Sequence, residues 1–156
     1  MKRRLCPWIF CLALAVSFFS ISPQVHATLG EPAASVEADR KALSAVRRAT
    51  TTVDGYTVQE VKSDANTVRE YVSSSGVVFA IAWNGLSHPD LTPLLGSYAG
   101  EYRKALRQVK PRTGRRFSQV KGSGVVVETW GHMRNFRGRA YAPALLPAGV
   151  TVDEIK

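Results

Sequence analysis

The most constraining feature of the sequence is the run Val77-Val78-Phe79-Ala80-Ile81-Ala82-Trp83, which is apolar at every position. A strand read with a period of two puts Val77, Phe79, Ile81 and Trp83 on one side and Val78, Ala80 and Ala82 on the other. Neither side can face water, so the run predicts a central strand of a sheet covered on both faces. The small Val and Ala side is expected to let a helix approach closely.

The flanking segments give that strand neighbours. Tyr56 to Lys62 and Thr67 to Ser73 are rich in β-branched and aromatic residues, and Ser63-Asp64-Ala65-Asn66 between them is turn chemistry, so a hairpin is predicted. Ser74-Ser75-Gly76 turns the chain into the central strand. Downstream, Leu91, Leu94, Leu95, Tyr98, Tyr102, Leu106 and Val109 recur at helical spacing. Thr92 and Pro93 suit a cap and a first helical residue, and Pro111 stops the pattern. A further helix is expected over Ser35 to Ala49, where helix formers carry Glu37 and Asp39 early and Arg47 and Arg48 late, as a helix dipole favours. Val125 to Trp130 and Arg134 to Tyr141, separated by Gly131, predict more strands. Pro143, Pro147 and Gly149 leave an irregular tail with Leu145 and Leu146 against the body. Together these elements predict an α+β fold, a mostly antiparallel sheet of about five strands with two helices.

The first residues carry Lys2, Arg3 and Arg4, then an apolar stretch from Leu5 to Ile21, then Val25-His26-Ala27. This is the pattern of a secretory signal peptide, and cleavage is expected after Ala27. The alternative, an anchoring helix, has Pro7 in its path and only roughly 17 apolar residues to span with. Arg3-Arg4 lacks the context of a twin-arginine signal, so general secretion is the expectation. Both cysteines, Cys6 and Cys11, fall in this leader. The expected mature chain, 28–156, is one domain without thiols and without a second membrane-spanning run, exported to the periplasm or beyond.

Charge is unevenly distributed. Of 21 Lys and Arg, three lie in the leader, leaving 18 against 12 acids, or +6; residues 28–100 carry −2 (six basic, eight acidic) and residues 101–156 carry +8 (12 basic, four acidic). A basic half on an exported protein fits an anionic envelope component or an exported protein, and export argues against nucleic acid.

No catalytic or metal-ligating constellation stands out. The histidines beyond the leader are His88, near Asp90, and His132, four residues from Glu128. They define the alternative of a small hydrolase or metal-dependent enzyme, which requires that they converge. Gly-x-Ser-x-Gly is missing, and Gly122-Ser123-Gly124 lacks the Lys-Ser or Lys-Thr of a phosphate loop, so no cofactor is implied. The candidate ligand-binding residues are Arg134, Asn135, Arg137, Arg139 and Tyr141, with Arg115 and Arg116 of the basic loop Lys110 to Arg116. Alternation places Asn135, Arg137, Arg139 and Tyr141 on one side, a guanidinium and phenol surface suited to carboxylates, phosphates or sugars. The competing explanation is a sheet surface protected from aggregation by charge. The first expectation is therefore a non-enzymatic accessory domain that binds through its basic half. A structural subunit pairing through a sheet edge is a further alternative.

Three strings resemble a known family: Thr28-Leu29-Gly30-Glu31-Pro32, HPDLTPLLGSY from His88 to Tyr98, and GHMRNFRGRAYAPALLPAGV from Gly131 to Val150. They are similar to proteobacterial exported proteins grouped as domain of unknown function 2844, over essentially the whole chain after the leader. The resemblance implies an exported single-domain protein and supplies no activity, ligand or catalytic residue.

Overall fold

The computed structural model describes residues 29–33, 46–53, 55–110 and 116–156. The leader, most of the stretch expected as a first helix, and Arg115 with its loop neighbours 111–114 lie outside the described residues.

Among the described residues, seven strands form one antiparallel sheet in the order β1-β2-β3-β4-β7-β6-β5. They are β1 (Val46–Val53), β2 (Tyr56–Lys62), β3 (Asn66–Ser73), β4 (Val78–Gly85), β5 (Phe117–Lys121), β6 (Val126–His132) and β7 (Asn135–Tyr141). Between β4 and β5 runs one helical stretch: α1 (Leu91–Leu95), a 3₁₀ turn (Gly96–Tyr98) and α2 (Ala99–Gln108). This corrects the expectation of about five strands and two helices. Val46 to Ala49, expected at the end of a helix, opens β1 instead, because the following Thr50-Thr51-Thr52-Val53 is β-branched and pairs along β2 from Arg47↔Val61 to Val53↔Tyr56. The second addition, β5, is a short edge strand whose mixed residues carry little periodic signal.

β4 is central, between β3 and β7, but its two sides are covered differently from the expectation. Opposite Phe79 the register slips: Tyr71 pairs with Ala80 and Val72 with Val78. This bulge turns Phe79 to the same side as Ala80 and Ala82. The helical stretch packs on the other side, where Leu94, Leu95 and Ala99 meet Val68, Val78, Ile81, Trp83, Val127 and Ala140. Asp90, not Thr92, caps it, its Oδ1 accepting from the Thr92 amide at 2.8 Å. Leu29 is buried completely on this side. Its amide donates to the Leu94 carbonyl (3.2 Å), and that of Gly30 donates to Val78 (2.8 Å).

The alanine side is closed by the segment 143–156, here called the strap, which is built from two 3₁₀ turns, Pro143–Leu145 and Val152–Glu154. Ile155, fully buried, packs on Tyr56, Tyr71, Phe79, Ala80 and Ala82, with Leu145, Leu146 and Val150 beside it. Tyr56, Tyr71 and Phe79 form a ring cluster with centroids 5.8 to 6.1 Å apart. Ala80 and Ala82, expected to admit a helix, are covered by this irregular segment instead, and the helical stretch takes the other side. Among the described residues no helix is long and apolar enough to cross a membrane.

Candidate ligand-binding face

The hairpin β6–β7 positions most of the sequence-predicted site. Its two-residue turn, Met133-Arg134, has φ of 41° and 65°, the doubly left-handed geometry that matches strand twist but usually selects Asn-Gly. The left-handed conformation is strained for side chains of this size and holds Met133, 87% exposed, and Arg134 out at the tip. Register then fixes the faces. On the strap side, pairs across the sheet run Phe117↔Trp130↔Arg137↔Asn84, and in the next row Gln119↔Glu128↔Arg139↔Ala82↔Arg69↔Glu60. Asn135, Arg137, Arg139 and Tyr141 share this side; Phe136, Gly138 and Ala140 face the helix.

The four residues do different things there. Arg139 is committed to holding structure: its Nε donates to Glu128 Oε2 at 2.6 Å, and its Nη1 donates to the carbonyls of Val152 (2.5 Å) and Ile155 (3.4 Å). Its side chain is 17% exposed and that of Glu128 7%, and Gln119 Nε2 donates to the other Glu128 oxygen at 2.6 Å. A buried carboxylate with both oxygens bonded is satisfied, not poised to react. Arg69 mirrors this arrangement across Ala82: Nε bonds Glu60 at 3.0 Å, and Nη1 donates to the main-chain oxygen of Lys156 at 3.1 Å. Tyr71 completes the clasp, its hydroxyl donating to the Lys156 oxygen (3.0 Å) and accepting from the Lys156 amide (2.9 Å). Burial pushes the Tyr71 phenol above its ordinary value, against the opposing effects of the Lys156 hydrogen bond and the Arg69 charge. Tyr141 is half-buried beside the strap, its phenol raised first by burial and then by Glu128.

Arg137, by contrast, is exposed, its Nε donating to Asn135 Oδ1 at 3.3 Å. Arg134 is exposed in the turn. Arg116 is exposed at the same end of the sheet, where its carbonyl accepts from the Gly131 amide at 3.2 Å. Among the described residues none of these three guanidinium groups is in an ion pair.

Between this end and the strap lies an open groove of about 510 Å³ lined by Phe117, Glu128, Trp130, Arg139, Asp153, Ile155 and Lys156. Phe117 is half exposed, and the Arg139 guanidinium lies 5.7 Å from the Trp130 ring centroid. This aromatic pair has no local sequence signal: Trp130 closes the stretch predicted as a strand from Val125, Phe117 follows the basic loop, and only the β5–β6 register brings them together. A second groove, about 310 Å³, lies across the strap between β1, β2 and β3.

The residues of the enzymatic alternative do not converge. Glu128 and His132 share one side of β6, but four residues along a strand span about 13 Å. His88 lies on the opposite face of the sheet, its Nδ1 accepting from Trp83 Nε1 at 3.4 Å and its ring 4.8 Å from that of Phe136. Desolvation there lowers its pKa. Asp90 is engaged as the helix cap. Among the described residues no group of three or more His, Cys, Asp or Glu could hold a metal ion. Gly122-Ser123-Gly124 is the β5–β6 turn, with the Gly124 amide on Glu101 Oε1 at 2.6 Å.

Residues 25–155 match one family, described as a protein of unknown function (DUF2844). No match is found among curated proteins or among solved structures.

Proposed function

The chain belongs to the DUF2844 family, and from that premise and the geometry above we propose that it is an exported, non-enzymatic accessory domain that binds an anionic partner. The binding end is where the β6–β7 hairpin turns: Arg134, Asn135 and Arg137, with Arg116 beside them. The observation that carries this reading is the division of labour among the arginines. Arg139 and Arg69 are consumed by buried or half-buried carboxylates and by the strap, whereas Arg116, Arg134 and Arg137 stand exposed and, among the described residues, make no ion pair. Forked guanidinium groups left open at one end of a rigid sheet recognise carboxylate or phosphate in two-pronged fashion. The excess of +8 in residues 101–156 adds long-range attraction to the same partner. Export rests on the leader pattern of Lys2 to Ala27.

Two measurements test the two parts. Expressed in a Gram-negative host, the protein is expected in the periplasm or medium with Thr28 as its first residue, and retention in the cytoplasm at full length refutes export. On an immobilised polyanion it is expected to elute at moderate salt, and earlier by a clear step when Arg134 and Arg137 are both changed to Ala. Elution indifferent to those substitutions refutes the assigned end.

A further inference from the structure

We propose that the groove between the Phe117–Trp130 pair and the strap takes an acidic polysaccharide, a chain containing uronic acid residues. The inference rests on the anion-binding reading above and adds the chemical class of the partner.

Three features of the groove select this class together. First, Phe117 and Trp130 are directly paired neighbours on β5 and β6, on the strap side of the sheet, and Phe117 keeps half its surface in water. Adjacent aromatic faces left accessible on a rigid ladder offer flat apolar area at small entropic cost. A pyranose ring presents a matching flat patch of C–H groups. Second, the groove is polar elsewhere. Asp153, with a side chain 95% exposed, and Lys156 form the strap wall, and Asn84 lies beyond Arg137 in the Phe117–Trp130 row. Hydroxyl groups both donate and accept, so a wall carrying an acceptor and donors suits them and does not suit a lipid chain. Third, Arg137 is the direct cross-strand neighbour of Trp130 and is exposed. Among the described residues Arg139 Nη2 also has no hydrogen-bond partner, since its Nε and Nη1 make the contacts already given. A carboxylate on a ring stacked at Trp130 therefore has a guanidinium beside it. A polyphosphate would use only the guanidinium groups, and a neutral glycan only the rings and the hydroxyl partners. A uronic acid uses all three. The groove is open along its length, and at about 510 Å³ it accommodates part of a chain passing through it.

The test is affinity electrophoresis of the full chain in gels containing polygalacturonate, dextran or inorganic polyphosphate, all at one salt concentration. The variants are Phe117→Ser, Trp130→Ala and Arg137→Ala, each checked for unchanged thermal unfolding. Polygalacturonate is expected to retard the wild type strongly and dextran not at all. Phe117→Ser and Trp130→Ala are each expected to weaken polygalacturonate binding by up to about tenfold while leaving any polyphosphate binding unchanged. Phe117 is an exposed edge residue, so its variant stands if Trp130→Ala fails to fold. Equal binding of polygalacturonate by wild type and Phe117→Ser overturns the polysaccharide inference and leaves the basic end intact. So does binding of dextran as tight as that of polygalacturonate. Failure of both polyanions to retard the wild type overturns this inference and the anion-binding reading together.

Discussion

Replacing Arg139 with Ala should destabilise the fold far more than it changes any surface property. The substitution strips Glu128, whose side chain is 7% exposed, of its charged partner and leaves it, among the described residues, with Gln119 alone. It also removes the donors that hold the Val152 and Ile155 carbonyls. Breaking a buried ion pair from one side costs about 3–5 kcal/mol. The 17% exposure of Arg139 admits some water and favours the lower end, while the freed strap carbonyls, which can turn to solvent, add at most about 1 kcal/mol. An overall loss of about 3 kcal/mol follows, which at a urea dependence of about 2 kcal/mol per molar moves the unfolding midpoint down by about 1.5 M. Arg139→Lys keeps the charge but not the fork and should fall between the two. Glu128→Gln combined with Arg139→Ala should lose less than the sum of the single changes, because no uncompensated charge remains. An Arg139→Ala midpoint within about 0.3 M of wild type, or additive single changes, would show that the arginine is not the clasp inferred from its geometry.

Other expectations follow from particular contacts. A Cβ at Gly138 would overlap the Trp83 ring, 2.5 Å from its Cε2, and sit 2.7 Å from the Glu128 carbonyl, so Gly138→Ala should cost at least about 2 kcal/mol and recover partly with Trp83→Phe; a neutral effect in urea unfolding would mean that the ring is free to move. Met133→Asn with Arg134→Gly should raise stability by about 1–2 kcal/mol by removing left-handed strain, and an unchanged midpoint would show the turn unstrained. Because desolvation lowers the His88 pKa below its ordinary 6.5, the unfolded chain binds the proton more readily; stability should be level above that pH, decline as the pH falls beneath it, and decline less in His88→Phe, as pH-dependent unfolding will show. The phenols of Tyr71 and Tyr141 are raised by burial, so their contribution is fully present below pH 10 and lost as the pH climbs through their native values; phenolate absorbance rising before any loss of structure would contradict this.

What could be read from the chain in advance was whatever repeats at short range. The alternation of β7 places Asn135, Arg137, Arg139 and Tyr141 together because a strand has a period of two wherever it pairs. The helical spacing from Leu91 likewise marks the face that meets Ile81 and Trp83. Features set by long-range pairing were invisible. Val46 to Ala49 looks helical locally and becomes a strand because β2 offers it an edge. Phe79 changes sides because of a bulge in its register with β3. Arg139 resembles its neighbour Arg137 in every local respect, and only Glu128, eleven positions back, and the strap, 13 and 16 positions ahead, separate their roles. The Glu128 and His132 spacing suggests proximity only on a helix; on β6 it separates them.

The place of Leu29 imposes an order of events on maturation. If the leader is cut after Ala27, a single residue separates the scissile bond from a side chain fully buried against the core and from amides bonded to Leu94 and Val78. A peptidase that threads an extended segment through its cleft cannot engage a bond so close to a docked residue. Processing then has to precede the seating of Leu29, whose burial contributes about 1.5–3 kcal/mol. A precursor that seats Leu29 before it is cut, as the uncut chain is able to do, should therefore be a poor substrate for the peptidase.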